Sequence, residues 1–215
     1  MTRTLSLPFV LLLLSGCGLR GSGTPATETR ELDSFSKIDL GGAFDLVVHV
    51  DPGATQKVEV TADDNIIEKI ETSVSGGELD VEMKDVSLLR PKTDIVVEVW
   101  VPSLAAIDAS GASDIDVQGL HGDSFTLELS GASDSTVQGA VERFDIRISG
   151  AGELDAKGLH AKSVTLKLSG AGEAVVAASE SLDVDISGAG DVTYFGDPTN
   201  VIQEISGAGS LKKGG

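Results

Sequence analysis

The sequence predicts an all-β fold, a parallel β-helix with coils of 18–20 residues preceded by a less regular β-rich section. Three observations predict it. The tripeptide Ser-Gly-Ala begins at Ser110, Ser130, Ser149, Ser169, Ser187 and Ser206, so successive copies stand 20, 19, 20, 18 and 19 residues apart. A fixed period of this length marks a solenoid. Between the copies, apolar and other residues alternate strictly, as in Phe125-Thr126-Leu127-Glu128-Leu129, Phe144-Asp145-Ile146-Arg147-Ile148 and Leu182-Asp183-Val184-Asp185-Ile186. That is the period of strands with one buried face. No helical period runs through the repeats, which excludes leucine-rich and helical solenoids. Finally, Gly is abundant at 26 residues and Pro sparse at 6, a composition of tight turns between short strands.

Each coil then has a reading. One short strand follows the tripeptide (Asp114 to Val117, Glu153 to Ala156) and a longer one precedes the next. Phe125, Leu127, Leu129 and their copies form the main core wall. Ala112, Ala132, Ala151, Ala171, Ala189 and Ala208 are expected to point inward at a narrow corner, with the Gly before each making the turn. Outside, Glu128, Arg147, Lys167, Asp185 and Glu204 form a column of mixed sign, in which Glu128 can pair with Arg147 and Lys167 with Asp185. In the last coil Val201, Gln203 and Ile205 put an amide where earlier coils are apolar, which reads as a terminal coil, with Lys212-Lys213 as a charged stop.

Residues 32–108 are β-rich but irregular, and 109–215 carry the repeats. Phe44 to Val50 and Thr93 to Val101 read as strands, Asp51-Pro52-Gly53 and Ser75-Gly76-Gly77 as turns, and Asp63 to Ile70 as a short helix.

The first residues read as an address. Arg3 supplies a positive start, Leu5 to Leu14 an apolar run too short to span a bilayer, and Leu14-Ser15-Gly16-Cys17 resembles the bacterial lipobox. Residues 1–16 are thus expected to be a lipoprotein signal peptide. Cys17 is the lipidation site and the only cysteine, so no internal disulfide forms. Residues 17–31 are expected to be the lipidated cysteine and a flexible tether. The membrane is one partner, through this anchor. Gly18 stands where inner-membrane lipoproteins carry aspartate, which by that resemblance favours the outer membrane.

The run from Phe35 to Val60, with Ile38-Asp39-Leu40 and Phe44-Asp45-Leu46, and the repeats of the form Ile186-Ser187-Gly188-Ala189-Gly190-Asp191-Val192 resemble the putative auto-transporter adhesin, head GIN domain family. The resemblance spans about Leu32 to Leu211. It implies a β-helix in the bacterial cell envelope and supplies no catalytic residue.

A net charge of −18 repels nucleic acid, so none is expected as partner. The function expected is non-enzymatic: adhesion or envelope interaction with a protein or glycan. A carbohydrate-processing enzyme on the same scaffold is the alternative, but constant coil length leaves no long insertion for a cleft, and no nucleophile, base and orienter stand together. No catalytic residue, cofactor or metal ligand is assigned. His121 and His160 fall two coils apart, too far to share a metal, and His49 reads as a surface residue. A third reading is a cation-stabilised module, since Asp114, Asp134, Glu153, Glu173 and Asp191 follow successive turns and would stack at about 4.8 Å.

Overall fold

The computed structural model describes residues 18–84 and 88–215; the expected signal peptide and lipidation site, residues 1–16 and Cys17, lie outside the described residues. Short strands open the chain: β1 (Leu19–Arg20), β2 (Pro25–Arg30), β3 (Lys37–Gly42), β4 (Asp45–Val50) and β5 (Lys57–Asp63). A single 3₁₀ turn, Ile67–Lys69, stands where a short helix was expected. Next come β6 (Ile70–Ser75), β7 (Glu78–Met83), β8 (Leu89–Arg90), β9 (Val96–Val101) and β10 (Ala106–Gly111). The repeats supply β11 (Asp114–Gly131), β12 (Asp134–Gly150), β13 (Glu153–Gly170), β14 (Glu173–Gly188), β15 (Asp191–Phe195), β16 (Asn200–Gly207) and β17 (Ser210–Lys213).

These strands stack as a parallel β-solenoid. One face runs β7, β3, β10, the second halves of β11 to β14, then β16. The other runs β9, β4, the first halves of β11 to β14, then β15 and β17. The wall expected from the alternation is present: Leu127, Ile146, Leu166 and Val184 stand in register and are buried. Phe125 and Phe144 stack on adjacent coils with ring centroids 5.7 Å apart. Opposite them lie Leu46, Ile115, Ser135, Leu154 and Ala174 in one inward column. Ser135 breaks it: its hydroxyl is buried and has no hydrogen-bond partner.

The corner differs from the expectation. Ala112, Ala132, Ala151, Ala171, Ala189 and Ala208 are exposed, and the residue after each of the first five, Ser113, Ser133, Gly152, Gly172 and Gly190, turns inward. The alternation runs on through the turn with its parity unchanged: Ile148, Gly152 and Leu154 face in, while Ser149, Ala151 and Glu153 face out. The Gly before each alanine makes the turn, Gly131, Gly150, Gly170 and Gly188 taking φ of +129 to +137°. A Cβ on Gly150 would sit 2.1 Å from the carbonyl oxygen of Gly131 one coil below. That same oxygen accepts the Ala151 N–H at 2.9 Å. The backbones touch here, so no side chain fits between them.

The N-terminal end is closed by antiparallel strands. β6 pairs with β7 through a turn at Gly76 and Gly77, β5 lies against β9, and β2 against β5. The expected flexible tether is therefore corrected over residues 18–31. β1 pairs with β8, and β2 forms an edge strand held by Thr27–Thr61 and Thr29–Glu59 side-chain bonds. Both faces of β2 carry polar residues, so it has the composition of a linker while its backbone pairs along its whole length with β5. Asp63, completely buried, fastens this end. Its carboxylate accepts the N–H groups of Gly23 at 2.6 Å, Lys92 at 2.8 Å and Thr93 at 3.2 Å, and the Thr93 hydroxyl at 3.1 Å. Burial alone would raise its pKa; these donors outweigh it and hold the carboxyl below the ordinary aspartate value. Among the described residues, no helix is long and apolar enough to cross a membrane.

Two measurements check this account. Gly170→Val should lower stability by about 1–3 kcal/mol through positive-φ strain and backbone overlap, whereas Ala171→Lys next to it should change it by less than about 0.5 kcal/mol. Thermal melts compare them; equal losses would mean that the alanine points inward after all. Ser135→Ala should raise stability by about 1 kcal/mol, because it removes a buried hydroxyl that lacks a partner.

Candidate functional site

The solenoid places each charged position above its copy, so the surface is organised in columns. The mixed column forms, with Glu128, Arg147, Lys167, Asp185 and Glu204 in register and an ion pair between Glu128 and Arg147, whereas Lys167 and Asp185 stand side by side without an ion pair. It extends below Glu128 to Asp108, which stands two residues before Ser110 as Glu128 does before Ser130. Asp39 and Asp80 continue it, and these were not legible because their coils carry no tripeptide to align them. Asp39 has its pKa raised by desolvation, then by Asp108, Asp80 and Glu78; Asp108 is raised by desolvation, then by Glu128 and Glu78. Arg147 ends this acidic run.

The second acidic column also forms as expected, Asp114, Asp134, Glu153, Glu173 and Asp191 standing in register. It extends down to Asp45 and ends at Ser210, whose hydroxyl donates to Asp191. With Asp116 and Asp155 on the same face, it borders a shallow groove of about 430 Å³. Desolvation, then Asp114 and Asp94, raise the pKa of Asp45. Among the described residues no three His, Cys, Asp or Glu side chains converge as a metal site would require. Its members Asp114, Asp134, Glu153, Glu173 and Asp191 are all exposed.

A different surface offers a recess, and constant coil length had argued against one. It comes from a small irregularity. Ala156 pairs with Val176, but the next pair is Ala161 with Ala178, so four residues of β13 face one of β14. The fourth coil is short at this corner, and a recess of about 590 Å³ opens over it. Ala140, Val141, Ala177, Ala178 and Phe195 give it an apolar floor. Lys157 reaches over this floor to place its Nζ 4.1 Å from the centre of the Phe195 ring. Lys162 pairs with Glu142 at 2.5 Å, which holds its ammonium pKa up, first by the hydrogen bond and then by charge. His160 stands on the rim. His121 is two coils away with Ala140 between them, so the two histidines do not meet, as the spacing implied.

His49 is more engaged than its sequence position suggested. It is half-buried, its ring stacks on Trp100 at 5.3 Å, and its Nε2 lies 2.9 Å from Glu98 Oε1. Lys57 covers the same indole at 4.8 Å and pairs with Glu59. Register brings this cluster together, since His49, Trp100 and Lys57 are rung neighbours on β4, β9 and β5. None of these arrangements aligns a nucleophile with a base. What the surface can do is bind, through an apolar recess with cationic rims or along acidic stripes.

The pKa directions set a pH dependence. Asp39, Asp45 and Asp108 have folded pKa values above the ordinary 3.8. A raised folded pKa means stability that is fully present below the unfolded value and is lost as pH rises through the folded one. Melting temperature should therefore rise as pH falls from neutral towards about 4. Asp63 acts in the opposite sense and sets the lower limit, because its contribution is lost as pH falls through its depressed value. Asp39→Asn with Asp108→Asn should raise the melting temperature at pH 7 and flatten the slope; melts across this range that show an unchanged slope would contradict the assignment.

The same architecture occurs in solved bacterial proteins. A putative adhesin from Bacteroides fragilis superposes with a TM-score of 0.76 at 22% identity, covering 91% of this chain and 100% of its own. A putative lipid binding protein from Parabacteroides distasonis gives 0.55 at 22%, covering 92% and 99%. A putative adhesin from Parabacteroides merdae gives 0.55 at 21%, with the same coverage. At these identities the likeness shows a shared fold. No curated protein matches the chain. The sequence profile of the putative auto-transporter adhesin, head GIN domain family matches residues 34–198, which is more than half of the chain and includes both the irregular section and most of the repeats, and the chain belongs to that family.

Proposed function

We propose that the protein is a non-enzymatic adhesin of the bacterial cell envelope, anchored by lipid at Cys17 and probing a protein or glycan with its solenoid surface. Family membership is the observation that carries this reading. The surface supports it, because regular coils give long, flat, charged faces and one shallow apolar recess rather than a deep cleft. Binding by such a surface relies on many weak contacts repeated along the columns. The carbohydrate-processing alternative lacks a pair of carboxylates split in pKa across a cleft. The anchor rests on Leu14-Ser15-Gly16-Cys17, where the thiol would take the diacylglycerol and the small residues would admit the peptidase. Several acyl chains at about 0.8 kcal/mol per buried CH₂ hold a protein stably on a membrane. Absence of aspartate after Cys17 favours the outer membrane.

With residues 18–31 folded into the N-terminal cap, the body would sit close to the lipid surface rather than on a long leash. One experiment tests both parts. Cells expressing wild type or Cys17→Ser are labelled with a palmitate analogue and assayed for attachment to immobilised envelope proteins and glycans. Wild type should take the label and attach, and Cys17→Ser should do neither. Equal labelling of both would remove the anchor, and attachment no better than in cells lacking the protein would remove the adhesive role.

A further inference from the structure

The two ends of the solenoid are unlike. Antiparallel strands close the N-terminal end, whereas β16 and β17 end the stack without a further rung among the described residues. Every residue of β16 is exposed. Val201, Gln203 and Ile205 stack on Leu182, Val184 and Ile186, so they continue the inward columns, yet none of the described residues covers them. Large exposed apolar side chains are rare on the described surface: Leu88, Val201, Ile202 and Ile205, at 48, 41, 52 and 39% exposure. Three of the four lie on this one strand. β16 also pairs on one side only, with β14, so its other edge presents free N–H and C=O groups.

We propose that this edge docks a second copy of the chain, β16 against β16, antiparallel, about a two-fold axis through Gln203. The residue pattern selects both partner and register. Turning the strand about Gln203 sets Val201 against Ile205 of the copy on the inward face and Gln203 against Gln203, each amide donating to and accepting from the other. On the outward face Ile202 lies beside Glu204. An axis through Glu204 would instead oppose two carboxylates, and one through Ile202 would set Val201 against Gln203. Charge points to the same surface. The chain carries −18, but from Asn200 onward its only charged side chains are Glu204, Lys212 and Lys213. This is the end at which two copies approach with least acidic repulsion. Lys213 turns aside to Asp197 at 2.6 Å, and no lysine guards β16 itself. The contact closes on itself, covers the open ends of both cores, and leaves the capped N-terminal ends at opposite extremes of the pair. It does not depend on the lipid anchor or on an adhesive ligand.

The intact protein, in density-matched detergent, is examined by sedimentation velocity over a concentration series. Wild type should reach the mass of a dimer, and Ile205→Lys should return it to half that mass with its circular dichroism and melt retained. As a test that needs no disruptive variant, Gln203→Cys should oxidise to a disulfide dimer. Ile202→Cys, displaced from its symmetry mate by about 8 Å, should not, since bridged Cα atoms lie within about 7 Å. Wild type alone, whose one cysteine is Cys17, gives the background. Protomer mass at every wild-type concentration overturns the proposal. So does a dimer that Ile205→Lys leaves intact, or equal crosslinking at 202 and 203.

Discussion

Stacked backbones at the glycine corner set the geometry on which the other columns depend. Each coil brings a Gly carbonyl under the Ala N–H of the next at 2.8–2.9 Å, from Gly111–Ala132 to Gly188–Ala208. A second ladder follows at once, the corner residue accepting the N–H of the acid, as in Ser133 to Glu153 at 3.1 Å. Two consecutive rungs of main-chain bonding fix each turn directly above the previous one. With the turn fixed, register along both faces follows, since a slip by one residue would invert every side chain. Phe125 over Phe144 and Leu127 over Ile146 are consequences of that alignment. The acidic columns are another consequence, and an adverse one, because the same register that stacks leucines also stacks carboxylates. The raised pKa values of Asp39, Asp45 and Asp108, due first to desolvation and then to the neighbouring carboxylates, record part of this cost.

This division explains how much could be read from the sequence. Strand positions, coil period, the wall from Phe125 to Ile186 and the pairing of Glu128 with Arg147 all follow from alternation and spacing, which are local properties. The direction of the alanine column is legible as well once the count runs on through the tripeptide, since Ile148 in and Ser149 out put Ala151 out and Gly152 in; the turn bends the chain without breaking the alternation. A clue was present in the next position, where Ser113, Ser133, Gly152, Gly172 and Gly190 are uniformly small, as an inward corner requires. The N-terminal segment failed for a different reason. Pro25 to Arg30 has no apolar alternation because it is an edge strand with polar residues on both faces, and its place is set by backbone pairing to β5 and by Asp63, some 40 residues away.

The candidate sites divide along the same line. The acidic stripe was legible because each member follows a tripeptide. The recess was not, because it arises from a mismatch between neighbours rather than from any motif. The tripeptide intervals vary only from 18 to 20, and as numbers they look like a uniform prism. Translated into stacking, a coil two residues shorter than its neighbour cannot cover it. The deficit falls where Lys157, Gly158, Leu159 and His160 meet Ala177 alone. Small residues at Ala177 and Ala178 then leave room for the Lys157 side chain to extend across to Phe195.

Such a scaffold can change what it presents without changing how it folds. The glycine ladder and the apolar walls occupy fixed positions in each coil, so the intervening outward positions and the length of the second corner are free to vary. One net acidic side chain more or less at an outward position alters a stripe, and two residues removed at the corner make a hollow. Neither touches the hydrogen bonds that hold the stack. Both surface features argued for binding here, the cationic-rimmed recess and the open edge of β16, sit where the repeat departs from itself. In a solenoid whose interior is dictated by repetition, it is the departures that distinguish one surface from another, and they are where recognition has room to reside.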